Sequence, residues 1–171
     1  MCLGPFRNRY NISMDIIKAE AEIKALMRQH GLIGWGWRFE YDNSVRRFGC
    51  CYGRKLLITM SRHLVSLNEW AVIKNAALHE IAHALAGIEA GHSEKWRQVA
   101  LSIGCSGTRL YDGAVVNRPA PRYIATCPRC NEIYKRHRIR VNTSCGKCSG
   151  GYYNPNYRLE YTEVKNEKEA A

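Results

Sequence analysis

The chain has 171 residues, 46% of them apolar and 24% charged, and a formal net charge of +11. That length accommodates one well-cored domain and a small appendage, and the composition belongs to a globular chain, not a disordered one. No apolar run approaches the roughly 18 residues of a membrane span, and Met1-Cys2-Leu3-Gly4-Pro5-Phe6-Arg7 lacks the apolar centre of a signal peptide, so a cytoplasmic protein without a membrane partner is expected.

The first element is a helix from Ser13 to His30, where Ile16, Ile17, Ala19, Ile23, Leu26 and Met27 recur at helical spacing and Gly31 stops the run. Trp35, Trp37, Phe39 and Tyr41 then alternate with Arg38 and Glu40, the pattern of a half-buried strand. Phe48–Tyr52 and Lys55–Ser61 read as two further strands turning at Gly53-Arg54. Ser66 or Asn68 caps a long helix reaching about Ala86, and Ser93 caps another with Trp96, Val99, Ala100 and Ile103 as its apolar stripe. Gly104 to Gly107 breaks that helix, and Pro119-Ala120-Pro121 marks a linker, because proline continues neither a helix nor a central strand.

Beyond the linker, Ile133-Tyr134 and Arg138-Ile139-Arg140-Val141 read as short strands, and Arg158-Leu159-Glu160-Tyr161 as a closing one. The expected organisation is a domain over 1–117, a small module over 118–165 and a disordered tail over 166–171. Charge divides unevenly along that scheme. Residues 1–117 carry 15 Lys/Arg against 10 Asp/Glu, whereas 118–165 carry 10 against 3 in less than half the length. A surplus of that density is the electrostatic footprint of a nucleic-acid-binding module.

The long helix carries His79-Glu80-Ile81-Ala82-His83. Residues four apart share a helix face, so both imidazoles can address one metal ion, with the Glu80 carboxylate beside them to reach a metal-held water. His92 returns after a chain reversal at Gly87 and Gly91 as a third ligand. Three protein ligands and an open fourth position are what a catalytic zinc requires. Apolar flanks (Ala76, Ala77, Leu78, Ile81, Ala82) predict that this helix is buried, and buried histidines and a buried glutamate need partners. Glu89 and Glu94 are alternative third ligands.

A second metal signal lies in the basic module. Cys127-Pro128-Arg129-Cys130 and Cys145-Gly146-Lys147-Cys148 are two C-x-x-C knuckles separated by fourteen residues. Four thiolates close a tetrahedral structural zinc site; a redox pair or two disulfides is the alternative, which an intracellular setting disfavours. Cys2, Cys50, Cys51 and Cys105 remain as free thiols, two of them expected to be buried. The positive side chains Lys135, Arg136, Arg138 and Arg140 are candidate phosphate contacts, and Tyr134, Tyr152, Tyr153 and Tyr157 can stack on bases or fill the small core.

In element order, and in His79-Glu80-Ile81-Ala82-His83, Gly91-His92-Ser93-Glu94-Lys95-Trp96 and the four-cysteine module, the chain resembles the SprT-like (Spartan) metalloprotease family. It departs from the family pattern at Ser93, where glycine often follows the third histidine. Metzincins fit worse: their third histidine lies closer to the second, and no methionine follows Met60. The resemblance implies an α+β fold. A small zincin-like domain would hold a helix, a three-stranded antiparallel sheet, the HExxH helix and a further helix, followed by a C-terminal zinc ribbon. It implies two zinc ions, one catalytic at His79, His83 and His92 and one structural at the cysteines, and peptide hydrolysis with Glu80 as general base. The expected partners are DNA, single-stranded or structured, and DNA-bound or DNA-crosslinked protein substrates. Arg97, Arg109 and Tyr111 are candidates to stabilise the oxyanion. The rival readings are a zinc-stabilised DNA-binding adaptor without proteolytic activity and a zinc hydrolase acting on another substrate.

Overall fold

A computed structural model describes residues 15–109 and 116–164, and the chain divides into two compact units, 1–119 and 120–171. The fold is α+β. In the first unit, helix α1 (Ile16–Gln29) starts at Asp15, whose Oδ1 accepts from the amides of Ile17 at 2.7 Å and Lys18 at 3.3 Å. Ala19, Ile23 and Met27 are its buried face, while Ile17 stands 77% exposed and leaves the expected stripe. The residues before Asp15, including Ser13 and Cys2, lie outside the described residues, as does the tail from 165 onward.

Strands β1 (Arg38–Asp42), β2 (Gly49–Tyr52) and β3 (Leu57–Ser61) form a sheet in the order β1-β3-β2. The sheet is mixed, and this corrects the antiparallel expectation. β2 and β3 are antiparallel, with Cys50 opposite Thr59, but β1 runs parallel to β3, with Phe39 opposite Ile58. The chain leaves β1, crosses through 43–48 to the far edge, and returns up the middle, which makes the first and third strands run the same way. Covered on both sides, β3 has all five residues buried. Trp35 does not join β1; it lies in a turn, 64% exposed, whereas Trp37 and Phe39 are buried. Tyr41 donates from its hydroxyl to the Ile16 carbonyl at 2.8 Å, tying the sheet to α1, and burial pushes its pKa up to about 12.

A short helix that the hydrophobic pattern did not reveal follows directly. α2 (Arg62–Leu67) is capped by Ser61, whose Oγ accepts from the Leu64 amide at 3.1 Å. Helix α3 (Trp70–Ala86) then begins after Glu69, so neither Ser66 nor Asn68 is its cap. Asn68 is instead a buried tether. Its Nδ2 donates to the carbonyls of Leu64 at 2.7 Å and Asn117 at 2.9 Å, and its Oδ1 accepts from the Asn117 amide at 2.7 Å. Nine residues of α3 are buried, among them His79 and Glu80. Gly87 and Gly91, at φ 88° and 53°, turn the chain back through Ile88–Ala90 into α4 (Glu94–Ser102).

The second unit holds an antiparallel sheet in the order β5-β4-β6, from β4 (Tyr123–Thr126), β5 (Ile133–Arg136) and β6 (Thr162–Glu163). Its core is Ala125, Cys127, Cys145 and Leu159, with one helical turn, α5 (Gly146–Ser149), behind the second knuckle. Two expected strands differ. Arg138–Val141 is irregular, and its stretch ends at Asn142 in a left-handed conformation (φ 55°) that a strand does not tolerate. Arg158–Tyr161 contributes only a bridge from Arg158 to Ser144, and the sheet is completed directly after it by β6. Among the described residues no helix is long and apolar enough to cross a membrane.

Candidate metal centre

Helix α3 places His79 and His83 one turn apart on the same face, and the glycine-hinged reversal brings His92 against both. The Nε2 atom of His92 lies 3.1 Å from that of His79 and 3.2 Å from that of His83. A tetrahedral ion with metal–nitrogen distances of about 2.0–2.1 Å sets its ligand atoms about 3.3–3.4 Å apart, so the three nitrogens stand close to the edges of such a tetrahedron. Burial draws the pKa of His79 and of His83 down to about 4, with the neighbouring imidazoles adding to the effect. Both rings are therefore neutral at pH 7, which is the ligating form. His79 also hydrogen-bonds the Thr108 backbone, a contact that fixes the ring and leaves Nε2 to the cluster. His79 is buried, His83 half-buried and His92 exposed, so the cluster opens on one side. Glu89 and Glu94 are exposed and stand outside it.

Trp96 forms the floor. It is 1% exposed, stacks on His83 with ring centroids 5.3 Å apart, and meets His79 at 4.8 Å and His92 at 4.7 Å. In sequence it reads as part of an apolar helical stripe; its contact with all three imidazoles is a tertiary fact that spacing does not encode.

Glu80 lines the same cleft as the three histidines and packs against β2 at Gly49. It is 7% exposed, and burial pushes its carboxyl up to about 7, opposed by the charge of Arg47 and a hydrogen bond from the Cys51 backbone. A carboxylate with that pKa is matched to accept and return a proton near neutrality. The strand comes this close because residue 49 is glycine. A Cβ there would lie 2.7 Å from Glu80 Cγ and 3.0 Å from its Oε1. Gly49 belongs to the site, and nothing in the local sequence marks it, since its φ is one that any residue adopts.

Of the oxyanion candidates, Arg109 lines the cleft over the histidines. Arg97 lies on α4, 3.8 Å from Glu94, and does not line it; Tyr111 lies outside the described residues. Of the other cysteines, Cys105 is buried, but Cys50 and Cys51 are only half-buried, because β2 is a sheet edge with one side left open. Cys105 is thus the one buried thiol outside the knuckles among the described residues, and Cys2 lies outside them. Burial raises the Cys51 thiol to about 12, which leaves it protonated.

In the second unit the four cysteine sulfurs gather within 4.8 Å of one another. Cys127 and Cys148 are 3.9 Å apart and Cys130 and Cys145 3.6 Å, bracketing the roughly 3.8 Å edge of a tetrahedron with zinc–sulfur distances of about 2.3 Å. A disulfide needs about 2.05 Å, so these are thiols and not bridges. The Tyr134 hydroxyl donates to Cys145 Sγ at 3.1 Å and holds that thiol down at about 6, and the Arg129 amide donates to Cys127 Sγ at 3.4 Å. Tyr134 is thereby committed to the cluster, as Tyr157 is to Arg129 at 2.9 Å, whereas Tyr152 and Tyr153 are exposed. Lys135, Arg136, Arg138 and Arg140 are all exposed, and Arg136 lies over the Tyr134 ring at 5.7 Å.

The donor sets differ as their chemistry requires. Three neutral imidazoles with an open side suit a reactive ion, and four thiols enclosed by a small core suit a structural one; both sets are consistent with zinc. No curated protein and no solved structure matches the chain. The model of the SprT-like family matches residues 22–118, a span that runs from α1 through the histidine cluster. With more than half of its length so matched, the chain belongs to the SprT-like family.

Proposed function

We propose that the protein is a zinc-dependent, DNA-associated protease of zincin-like fold, acting inside the cell on proteins bound or crosslinked to DNA. The observation that carries this reading is the triad of converging imidazoles lining one cleft with a buried carboxylate. His79, His83 and His92 would hold the catalytic ion, and a zinc ion bound there supplies Lewis acidity and lowers the pKa of a water. Glu80 takes the proton of the attacking water and returns it to the leaving amine, so that one carboxylate serves as base and then as acid. Trp96 and the Thr108 backbone hold the imidazoles in place, and Gly49 with the Cys51 amide holds the carboxylate.

The ribbon supplies the association with DNA. Its exposed Lys135, Arg136, Arg138 and Arg140 offer phosphate contacts, and exposed Tyr152 and Tyr153 offer faces on which unpaired bases stack. A zinc-stabilised adaptor without proteolysis is disfavoured by Glu80, because burying a carboxylate next to a purely structural site costs stability and serves nothing. The test is to incubate the zinc-loaded protein with a free and a crosslinked DNA-binding protein, with and without DNA, beside Glu80→Gln. Cleavage that DNA stimulates and that falls by about 10²–10⁴ in the variant is expected. Equal turnover by the variant removes Glu80 from the chemistry, and no cleavage by either favours the adaptor.

A further inference from the structure

Arg46, Arg47, Arg109 and Arg118 line the same cleft of about 390 Å3 as the three histidines, and among the described residues Glu80 is the one acidic side chain lining it. Arg47 is held by Asp42 at 3.0 Å and by the Tyr52 hydroxyl at 3.4 Å. Arg118 donates to the Arg46 carbonyl at 2.8 Å, which pins the crossing segment 43–48 over the site. Among the described residues no carboxylate pairs with Arg46, Arg109 or Arg118. Positive charge is therefore concentrated along the lining of the cleft, where the low-dielectric protein strengthens its effect on whatever enters.

On the peptidase reading, we infer that this cleft selects peptide segments with Asp or Glu beside the scissile bond and disfavours segments rich in Lys or Arg. A guanidinium presents a planar fork that matches a carboxylate in bidentate fashion, so arginine recognises an acidic side chain by shape as well as charge. A nucleic-acid strand fits the cleft less well. Among the described residues its one Phe, Tyr or Trp is Phe48, which is 3% exposed and offers no face to a base.

Three fluorogenic peptides, identical except for two acidic, neutral or basic residues flanking the cleaved bond, test the inference on the full-length zinc-loaded protein. Each exposed charge pair is worth about 2–5-fold, so the acidic peptide should exceed the neutral one by about tenfold in kcat/KM at 50 mM salt. The margin should shrink by 500 mM salt, where screening is nearly complete. Arg46→Gln with Arg118→Gln should bring the acidic-to-neutral ratio near one, and Arg46→Glu with Arg118→Glu should turn the preference toward the basic peptide. A misfolded variant cannot produce such a reversal. Equal cleavage of all three peptides, or preference for the basic one by the unaltered protein, overturns the inference. So does loss of binding to a single-stranded oligonucleotide in the glutamine variant with peptide selection intact. If no peptide is cleaved, polarisation binding of the same peptides separates the two readings. Tighter binding of the acidic peptide keeps the anion-selective cleft and rejects the peptidase, and equal binding rejects both.

Discussion

Adding one methyl group at position 49 tests how the candidate site is built at the scale of a residue. The Cβ of an alanine there would stand 2.7 Å from Glu80 Cγ, and the opposing atom belongs to a buried side chain with little room to retreat. Gly49→Ala should cost about 1–3 kcal/mol by overpacking and displace the carboxylate. Hydrolysis should fall by about a hundredfold, the penalty typical of a displaced reacting group, while both metal ions remain bound. Thermal unfolding, turnover and metal content measured on one preparation check this; unaltered turnover would mean that the carboxylate position is not set by β2. The histidines, Glu80 and the cysteines were legible in sequence because their residue types and spacings carry their own chemistry. Gly49 and Trp96 were not, because one acts by the absence of a side chain and the other through contacts with His79 and His83 that fold back from α4.

Among the elements, periodic segments were legible in the sequence and those set by tertiary bonds were not. α1 and α4 were visible in their apolar spacing, and α3 in its length of apolar residues, within a few positions at each end. α2 was hidden because six residues are too few for a period to show, and its cap, Ser61, is also the last residue of β3. Strand direction was hidden as well: nothing local tells the third strand to lie between the first two, so the mixed sheet is a property of the crossing segment 43–48. In the ribbon, Arg138–Val141 alternates in charge and apolarity like a strand, but the alternation there has no sheet to serve. Asn68 shows how strongly one side chain can join elements. Asn68→Ala removes its bonds to Leu64 and to both backbone groups of Asn117 and leaves buried partners unsatisfied. A loss of about 2–4 kcal/mol follows from three bonds of about 1 kcal/mol each. Urea unfolding measures it, and a loss under 1 kcal/mol would show that water replaces the tether.

At the scale of the whole molecule, charge assigns the two units different tasks in the proposed function. Replacing Lys135, Arg136, Arg138 and Arg140 together by alanine should reduce the log–log salt slope of DNA binding by about 0.7–0.9 per residue that contacts a phosphate. Affinity should weaken alike for all sequences, since phosphate contacts carry no base information. Hydrolysis of a short free peptide should stay near its starting rate, because the histidine cluster belongs to the first unit. Titrations at several salt concentrations, with peptide turnover measured in parallel, check all three expectations. A salt slope that survives the quadruple substitution would move the DNA contacts away from the ribbon.

The tether between Asn68 and Asn117 also sets an order of events during synthesis. It joins residues 49 apart, and it supplies partners for a side chain that is buried in the finished unit. A nascent chain that has grown through α3 and α4 already contains every histidine of the cluster, yet Asn68 still lacks its two bonds to Asn117 until that residue emerges. Completion of the first unit is thus timed by its own last residues, just ahead of Pro119. The ribbon emerges only after the unit that precedes it has everything it needs to close, so the first unit can gather its ligands before the ribbon offers competing thiols.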